Sequence, residues 1–480
     1  MKADYPLMVV GMEERADATI EVVAPFDRSP IATVAAGGPE VVEQALDTAD
    51  RLFRNRDLWM TPAQRIEILG QAAKIMESRA EGLALEAARE GGKPLIDSQV
   101  EVARAIDGVR NCIEVLRTES GREIPMNVNA ASLNRLALTH REPRGVVVAV
   151  SAFNHPLNLI VHQVGPAVAT GCPVIVKPAA DTPLSCFRFV EILREAGLPE
   201  GWCQALLTDT HETAEKLVTD PRVAFFSFIG SAEVGWRLRS RLAPGTRCAL
   251  EHGGVAPVVM AEDADLDDAI PRLAKGGFYH AGQVCVSVQR VFAHRTIAEE
   301  VGDRLARAAE ALRVGDPTLP DTEVGPLIRP AEVDRVESWV HEAVSGGGRL
   351  LCGGKRLSDT CHACTVLYDP PADAKVSRAE VFGPVVCVYP YDDLDEAIER
   401  ANALPFAFQA AVFTRSLDTA LRAYERFDAA TVIVNDHTAF RVDWMPFAGL
   451  RHSGLGIGGI PYTMHDMQVD KLLVIRSAEL

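Results

Sequence analysis

Basic stretches are what this chain most lacks. Its 49 Lys and Arg stand against 66 Asp and Glu, a net charge of −17 over 480 residues, and no basic stripe is interleaved with aromatics. That balance argues against a nucleic-acid partner and for a soluble surface. Long apolar runs are missing as well. The longest, Val164 to Val176, is broken by Pro166, Gly171 and Pro173; it is too short to span a bilayer, so no membrane partner is expected. The opening Met1-Lys-Ala-Asp-Tyr-Pro6 lacks the apolar segment of a secretory signal, and the cytoplasm is the expected compartment. The 10 cysteines are scattered and read as reduced thiols. Cys361-His-Ala-Cys364 has metal-ligand spacing, but no second pair exists to complete four ligands; an ordinary loop without metal is expected. Gly454-Leu-Gly-Ile-Gly-Gly459 has dinucleotide-fingerprint spacing, yet the chain ends 21 residues later, before the βαβ unit that such a fingerprint opens. A glycine-rich loop near an active-site mouth is expected instead.

What is present is a globular composition, 48% hydrophobic and 24% charged, in a chain long enough for two or three domains. Short strands are expected over 18–36, then amphipathic helices. Thr61-Pro-Ala-Gln64 has the pattern of a capping box opening a helix that runs to about Arg79. Residues 122–142 alternate without a deep apolar face, like a protruding ribbon whose outer strand is Leu136 to His140; an exposed ribbon implies an oligomer. From Gly145 strands and helices alternate, with strands at Val146–Val150, Pro173–Val176, Cys203–Leu207, Val223–Phe228 and Arg247–Leu250. That order predicts a parallel sheet covered on both faces. A second alternating region follows Glu251, and the last strand, Lys471–Ile475, is expected to pair with the ribbon. The boundary between the two large domains falls near Leu250.

Several side chains fall where chemistry is expected, each with a plainer alternative. Cys285 lies between a helix and a strand among small residues, where Gly282 lets backbone come close; it is either a nucleophile or one more buried thiol. Asn154, just past a strand's carboxyl end, is either an oxyanion donor or a helix N-cap. Lys177 could meet a ribose hydroxyl or solvent, and Gly230-Ser231 at a helix start suits a pyrophosphate. Glu251 is either a water-activating base in a cleft or a surface carboxylate, and Glu380 supplies a second carboxylate before a strand. The loop carrying Arg441, Asp443 and Trp444 suits a pocket wall; Arg441 is either an anion anchor or a structural arginine.

Taken together these segments resemble the aldehyde dehydrogenase superfamily. The family's Pro-Trp-Asn-x-Pro appears as Ala152-Phe-Asn-His-Pro156, its Lys-Pro strand end as Lys177-Pro178 and its Phe-Thr-Gly-Ser as Phe228-Ile-Gly-Ser231. Glu-Leu-Gly-Gly appears as Glu251-His-Gly-Gly254 and Gly-Gln-x-Cys as Gly282-Gln-Val-Cys285. Glu-x-Phe-Gly-Pro is Glu380-Val-Phe-Gly-Pro384, and Pro-Phe-Gly-Gly is Pro446-Phe-Ala-Gly449. The resemblance implies an α/β fold with a Rossmann-like NAD(P)-binding domain (1–121 and 143–250), an α/β catalytic domain (251–445) and a β oligomerisation element (122–142 and 460–480). It also implies that Cys285 attacks an aldehyde, that Asn154 and the Cys285 amide hold the oxyanion, and that Glu251 activates water against the thioester. Lys177 and Glu380 would hold riboses and Ser231 the pyrophosphate, with Gly230, Phe382, Ser151 and Phe153 along the cofactor.

The sequence departs from that pattern in places. Ala180 stands where NAD-preferring members carry a ribose-binding glutamate, so NADP is not excluded by charge; NAD remains the expected cofactor. The Ser-Gly-x-Gly-Arg-Glu motif becomes Ser453-Gly-Leu-Gly-Ile-Gly458, without its carboxylate, and Tyr-Gly-Leu becomes Phe406-Ala-Phe408. The loop 436–447 and the segment Gly459-Ile-Pro-Tyr-Thr-Met464 are similar to the branch of phosphonoacetaldehyde, lactaldehyde and non-phosphorylating glyceraldehyde-3-phosphate dehydrogenases. Positions matching the phosphonate grip are Arg104, His155 and Arg441, while Val284 replaces the arginine before the nucleophile. The resemblance implies a short anionic aldehyde substrate and a homodimer or homotetramer. A neutral hydroxy-aldehyde, transfer to coenzyme A and a catalytically silent relative are the alternatives.

Overall fold

The computed structural model describes residues 4–480. Two large sheets organise it. The first has six strands, in the order Gly454–Leu455, Arg247–Glu251, Val223–Ile229, Val146–Val150, Val174–Lys177 and Cys203–Ala205. All its pairings are parallel except that of Gly454–Leu455. Alternate residues of its central strand enter different cores: Val147 and Ala149 pack on one face, Val146 and Val148 on the other. A strand buried on both sides reads as an unbroken apolar run, which is why Val146–Val150 shows no polar alternation.

The second sheet has seven strands, centred on Val385–Tyr391, Val288–His294 and Ala256–Met260. It is parallel apart from the antiparallel edge pair Arg349–Cys352 and Thr365–Tyr368. Local chemistry sets the helix starts. Thr61 and Gln64 form a reciprocal capping box for Pro62–Ser78, and the carboxylates of Asp265 and Asp393 cap Leu266–Phe278 and Leu394–Asn402.

One expectation is corrected. Arg135–Pro143 is not an outer strand. It is the middle of a three-stranded sheet, between Glu123–Ile124 and the C-terminal Gln468–Arg476, with which it pairs from Gln468↔Pro143 to Arg476↔Arg135. The covering strand comes from more than 300 residues away and includes Lys471–Ile475, which pairs with the ribbon as expected. Its own surface is open: Leu472 and Leu473 are 54% and 56% exposed. Among the described residues, no helix is long and apolar enough to cross a membrane.

Candidate active site

A cavity of about 800 Å³ separates the carboxyl edge of the first sheet from the amino edge of the second. One wall comes from the strand ends at 150–155, 228–231 and 251–253, the other from the segments at 283–286 and 380–382 that lead into Val288–His294 and Val385–Tyr391. Cys285, Asn154 and Glu251 all line it.

Cys285 owes its place to an unusual turn. His280, Ala281 and Gly282 all have positive φ (51°, 53° and 69°), and a non-glycine residue held there costs about 1–3 kcal/mol. Gly282 is required, since a Cβ would lie 2.1 Å from the Gly383 carbonyl oxygen. Gln283 locks the segment. Its side-chain amide donates to Pro326 O and His280 O (3.2 Å each), and its side-chain oxygen accepts from Ile328 N (3.0 Å). The one sign of this role in the sequence is the fixed place of Gln283 in Gly-Gln-x-Cys. Burial, and secondarily the Glu251 charge, pushes the Cys285 thiol well above its ordinary range. The sulfur is therefore protonated at neutral pH until a base takes its proton.

Asn154 does not cap the helix that follows. The cap position of Asn158–Thr170 is Leu157, and the backbone amides of Leu157 and Asn158 donate to Glu101 Oε1 at 2.9 Å each. Asn154 is thereby left free for other work. Its Nδ2 donates one hydrogen to Gln283 O (2.9 Å), and an amide NH2 has a second to offer. Glu251 ends its strand with Oε1 3.8 Å from Arg441 Nη1. Burial raises its carboxyl above the ordinary value and Arg441 opposes the shift. The glycine-rich loop also reaches this site: a Cβ on Gly458 would lie 3.4 Å from Glu251 Oε2.

The positions expected along a cofactor lie further up the same cavity. Ser151, Phe153, Gly230, Ser231, Glu380 and Phe382 line it. Phe153 and Phe382 meet edge to face at 5.8 Å. Glu380 is pushed up to about 8 by burial, against a backbone hydrogen bond from Gly254. Its Oε1 and Ser151 Oγ are buried without a hydrogen-bond partner. Lys177 is not among the lining residues; its Nζ turns to Pro178 O at 3.4 Å. His252, in the leucine position of the motif, donates from Nδ1 to Gly230 O (2.9 Å) and packs against Phe228 and Trp236. It was not singled out from sequence.

Arg104, His155 and Arg441 line the cavity near Cys285. Arg104 is forked onto Asp443 (3.0 and 2.7 Å). His155 Nδ1 accepts from the buried Lys93 ammonium (2.6 Å), and Nε2 lies 3.2 Å from Tyr279 OH. Arg441 stacks on Phe447, 3.6 Å from the ring centre. Of the three side chains singled out in that loop, only Arg441 reaches the cavity; Asp443 lies behind it and Trp444 is 55% exposed. Cys361 and Cys364 are buried in a loop, and among the described residues no group of three or more His, Cys, Asp or Glu could hold a metal.

A family model described as the aldehyde dehydrogenase family matches residues 12–473. The chain belongs to the aldehyde dehydrogenase family. It is similar to 3-sulfolactaldehyde dehydrogenase from Priestia megaterium, 37% identical over 471 residues and covering 98% of each chain. Among solved structures it is similar to aldehyde dehydrogenase 21 from Physcomitrella patens in complex with the reaction product succinate. That match has 34% identity, a TM-score of 0.94, and covers 100% of this chain and 99% of that one. It is also similar to glyceraldehyde-3-phosphate dehydrogenase from Methanocaldococcus jannaschii complexed with NADP, with 33% identity, a TM-score of 0.91, and coverage of 96% and 100%. This aldehyde dehydrogenase keeps all seven segments on which the resemblance rested.

Proposed function

We propose that this enzyme oxidises a short aldehyde bearing a sulfonate, carboxylate or phosphonate to the corresponding carboxylic acid, with NAD or NADP as the hydride acceptor. The observation that carries this reading is that Arg104 and Arg441, two of the four arginines lining the cavity that holds Cys285, sit at the positions matching the anion grip of the resembling branch. The sulfolactaldehyde and succinate named for the relatives are anions of this size.

In this mechanism the Cys285 sulfur attacks the carbonyl carbon after its proton has passed to a base. The second Asn154 amide hydrogen and the Cys285 backbone amide meet the oxyanion, and each such donor is worth about 3 kcal/mol. When bound, the nicotinamide supplies the hydride acceptor, which leaves a thioester on Cys285. Glu251, a carboxyl of raised pKa with Arg441 beside it, takes a proton from water, which attacks the thioester and releases the acid. Ser151 Oγ and Glu380 Oε1, buried and unpartnered, suit the polar groups of a dinucleotide. Phe153, Phe382, Gly230 and Ser231 would flank it, and Lys177 would have to turn from Pro178 to reach a ribose. Ala180 leaves no carboxylate to repel a 2′-phosphate, while NAD needs none.

A neutral hydroxy-aldehyde is the second reading, because Arg104 is already forked onto Asp443 and Arg441 faces Glu251. We read the exposed strand Gln468–Arg476 as the surface that pairs subunits into a dimer or tetramer. The test is a panel of short aldehydes, neutral, carboxylated, sulfonated and phosphonated, with both cofactors and with the product identified by mass. The reading predicts an acid product and a preference for the anions. An Arg441→Ala enzyme whose kcat/KM is unchanged for every anionic aldehyde would sink it.

A further inference from the structure

Behind the cavity wall a single carboxylate is tied to both guanidiniums. Asp443 is 2% exposed and accepts the Arg104 fork, Nε to Oδ2 at 3.0 Å and Nη2 to Oδ1 at 2.7 Å. Its Oδ1 also accepts from Asn158 Nδ2 (3.3 Å) and lies 2.7 Å from His162 Nε2. The backbone of Asp443 is held by Ile460 N (2.9 Å). His162, on the helix Asn158–Thr170, is buried too, and its other nitrogen, Nδ1, lies 3.4 Å from Arg441 Nη2. Neither Asp443 nor His162 lines the cavity.

The chemistry of the partners fixes the proton. Burial, then the nearby Arg441, pushes His162 down to about 4, so the ring is neutral at pH 7 and carries one N–H. A carboxylate can only accept and a guanidinium can only donate. The hydrogen therefore sits on Nε2, facing Asp443, and the Nδ1 lone pair faces Arg441. Asp443 orients Arg104 directly and, through the imidazole, Arg441 as well. Arg441 Nε remains buried without a partner, a donor left over for a ligand.

We infer that Asp443 and His162 are positioning residues that hold Arg104 and Arg441 as two arms of one anion clamp, so that this buried pair sets the enzyme's selectivity for an aldehyde bearing an anionic group. The inference rests on the anionic-aldehyde reading above and adds the residues that enforce it. Arg441 lies across the Phe447 ring with Nη1 towards Glu251, and the imidazole lone pair receives its other terminal nitrogen.

The test compares succinic semialdehyde with butanal, two four-carbon aldehydes that differ in a terminal carboxylate. In His162→Phe the ring volume stays and both hydrogen bonds go. KM for succinic semialdehyde should rise about tenfold, while kcat and the butanal parameters stay within about twofold. His162→Gln keeps an amide donor for Asp443 and an amide oxygen in place of the imidazole acceptor, with a less fixed geometry, and should fall between wild type and Phe; it carries the test alone if the Phe variant does not fold. A selectivity ratio unchanged in the folded variants, whether or not both substrates slow together, would overturn the clamp while leaving the anionic-aldehyde reading intact. A wild-type enzyme with no preference for succinic semialdehyde over butanal would overturn that reading and the clamp with it.

Discussion

The two sides of the cavity treat buried charge in opposite ways. Around Arg104 and His155 the buried ions have partners: Arg104 with Asp443 and Lys93 with Glu101, while the neutral His162 ring adds a hydrogen bond to Asp443. Around Cys285 the acids are nearly alone. Glu251 has one guanidinium at 3.8 Å, and Glu380 has one backbone amide and an orphaned oxygen. Paired charges fix geometry because separating them leaves an uncompensated ion in low dielectric. Unpaired acids answer burial by keeping their protons to higher pH, which is the property a group that transfers protons needs. One side is built for shape, the other for protons.

The contrast breaks most severely at Glu251. Glu251→Gln should lower steady-state turnover by about 100- to 10,000-fold, as loss of a general base does, with acylated Cys285 accumulating by intact-protein mass. Unchanged turnover would remove Glu251 from the proton side. Asn154→Ala should reduce kcat by about 100- to 1,000-fold with KM little changed, since an oxyanion donor acts only in the transition state.

On the paired side the effect falls on stability. Glu101 and Lys93 are 2% and 1% exposed, so the pair is poorly screened. Glu101→Gln should cost about 3–5 kcal/mol in denaturant unfolding; a loss under about 1 kcal/mol would show the pair to be dispensable. At Glu380 the effect is on the pH dependence of stability. Its folded-state value of about 8 lies above the ordinary 4.5, so the folded protein holds one extra proton between those values. Its contribution to stability is complete below about pH 4.5 and falls through the interval up to about pH 8, at up to about 1.4 kcal/mol per pH unit. Glu380→Gln should flatten that slope without cofactor and barely change stability at pH 5.

Much of this was legible in the chain. The unbroken apolar run Val146–Val150 announced a strand buried on both faces, Thr61 and Gln64 announced a helix start, and Gly282 announced a close backbone approach. Strand ends in an open parallel sheet collect ligands, so Asn154, Ser231 and Glu251 could be placed from alternation alone. What stayed hidden involves partners distant in sequence. That the C-terminal strand pairs with the ribbon was expected, but not that it pairs with Arg135–Pro143 and so makes this strand the central one. Glu101, on another helix, satisfies the amides that Asn154 was a candidate to cap. Lys177, expected beside a cofactor, turns to its own neighbour.

By itself, then, the sequence determined the order of strands and helices, the family and the candidates for the reactive side chains, because periodicity, capping and short motifs are properties of neighbouring residues. Only the tertiary structure decided which charges are shared. A carboxylate such as Asp443 joins Arg104 and His162 from 339 and 281 residues away, and whether a buried ion is paired or left alone depends on three-dimensional packing that local sequence does not specify.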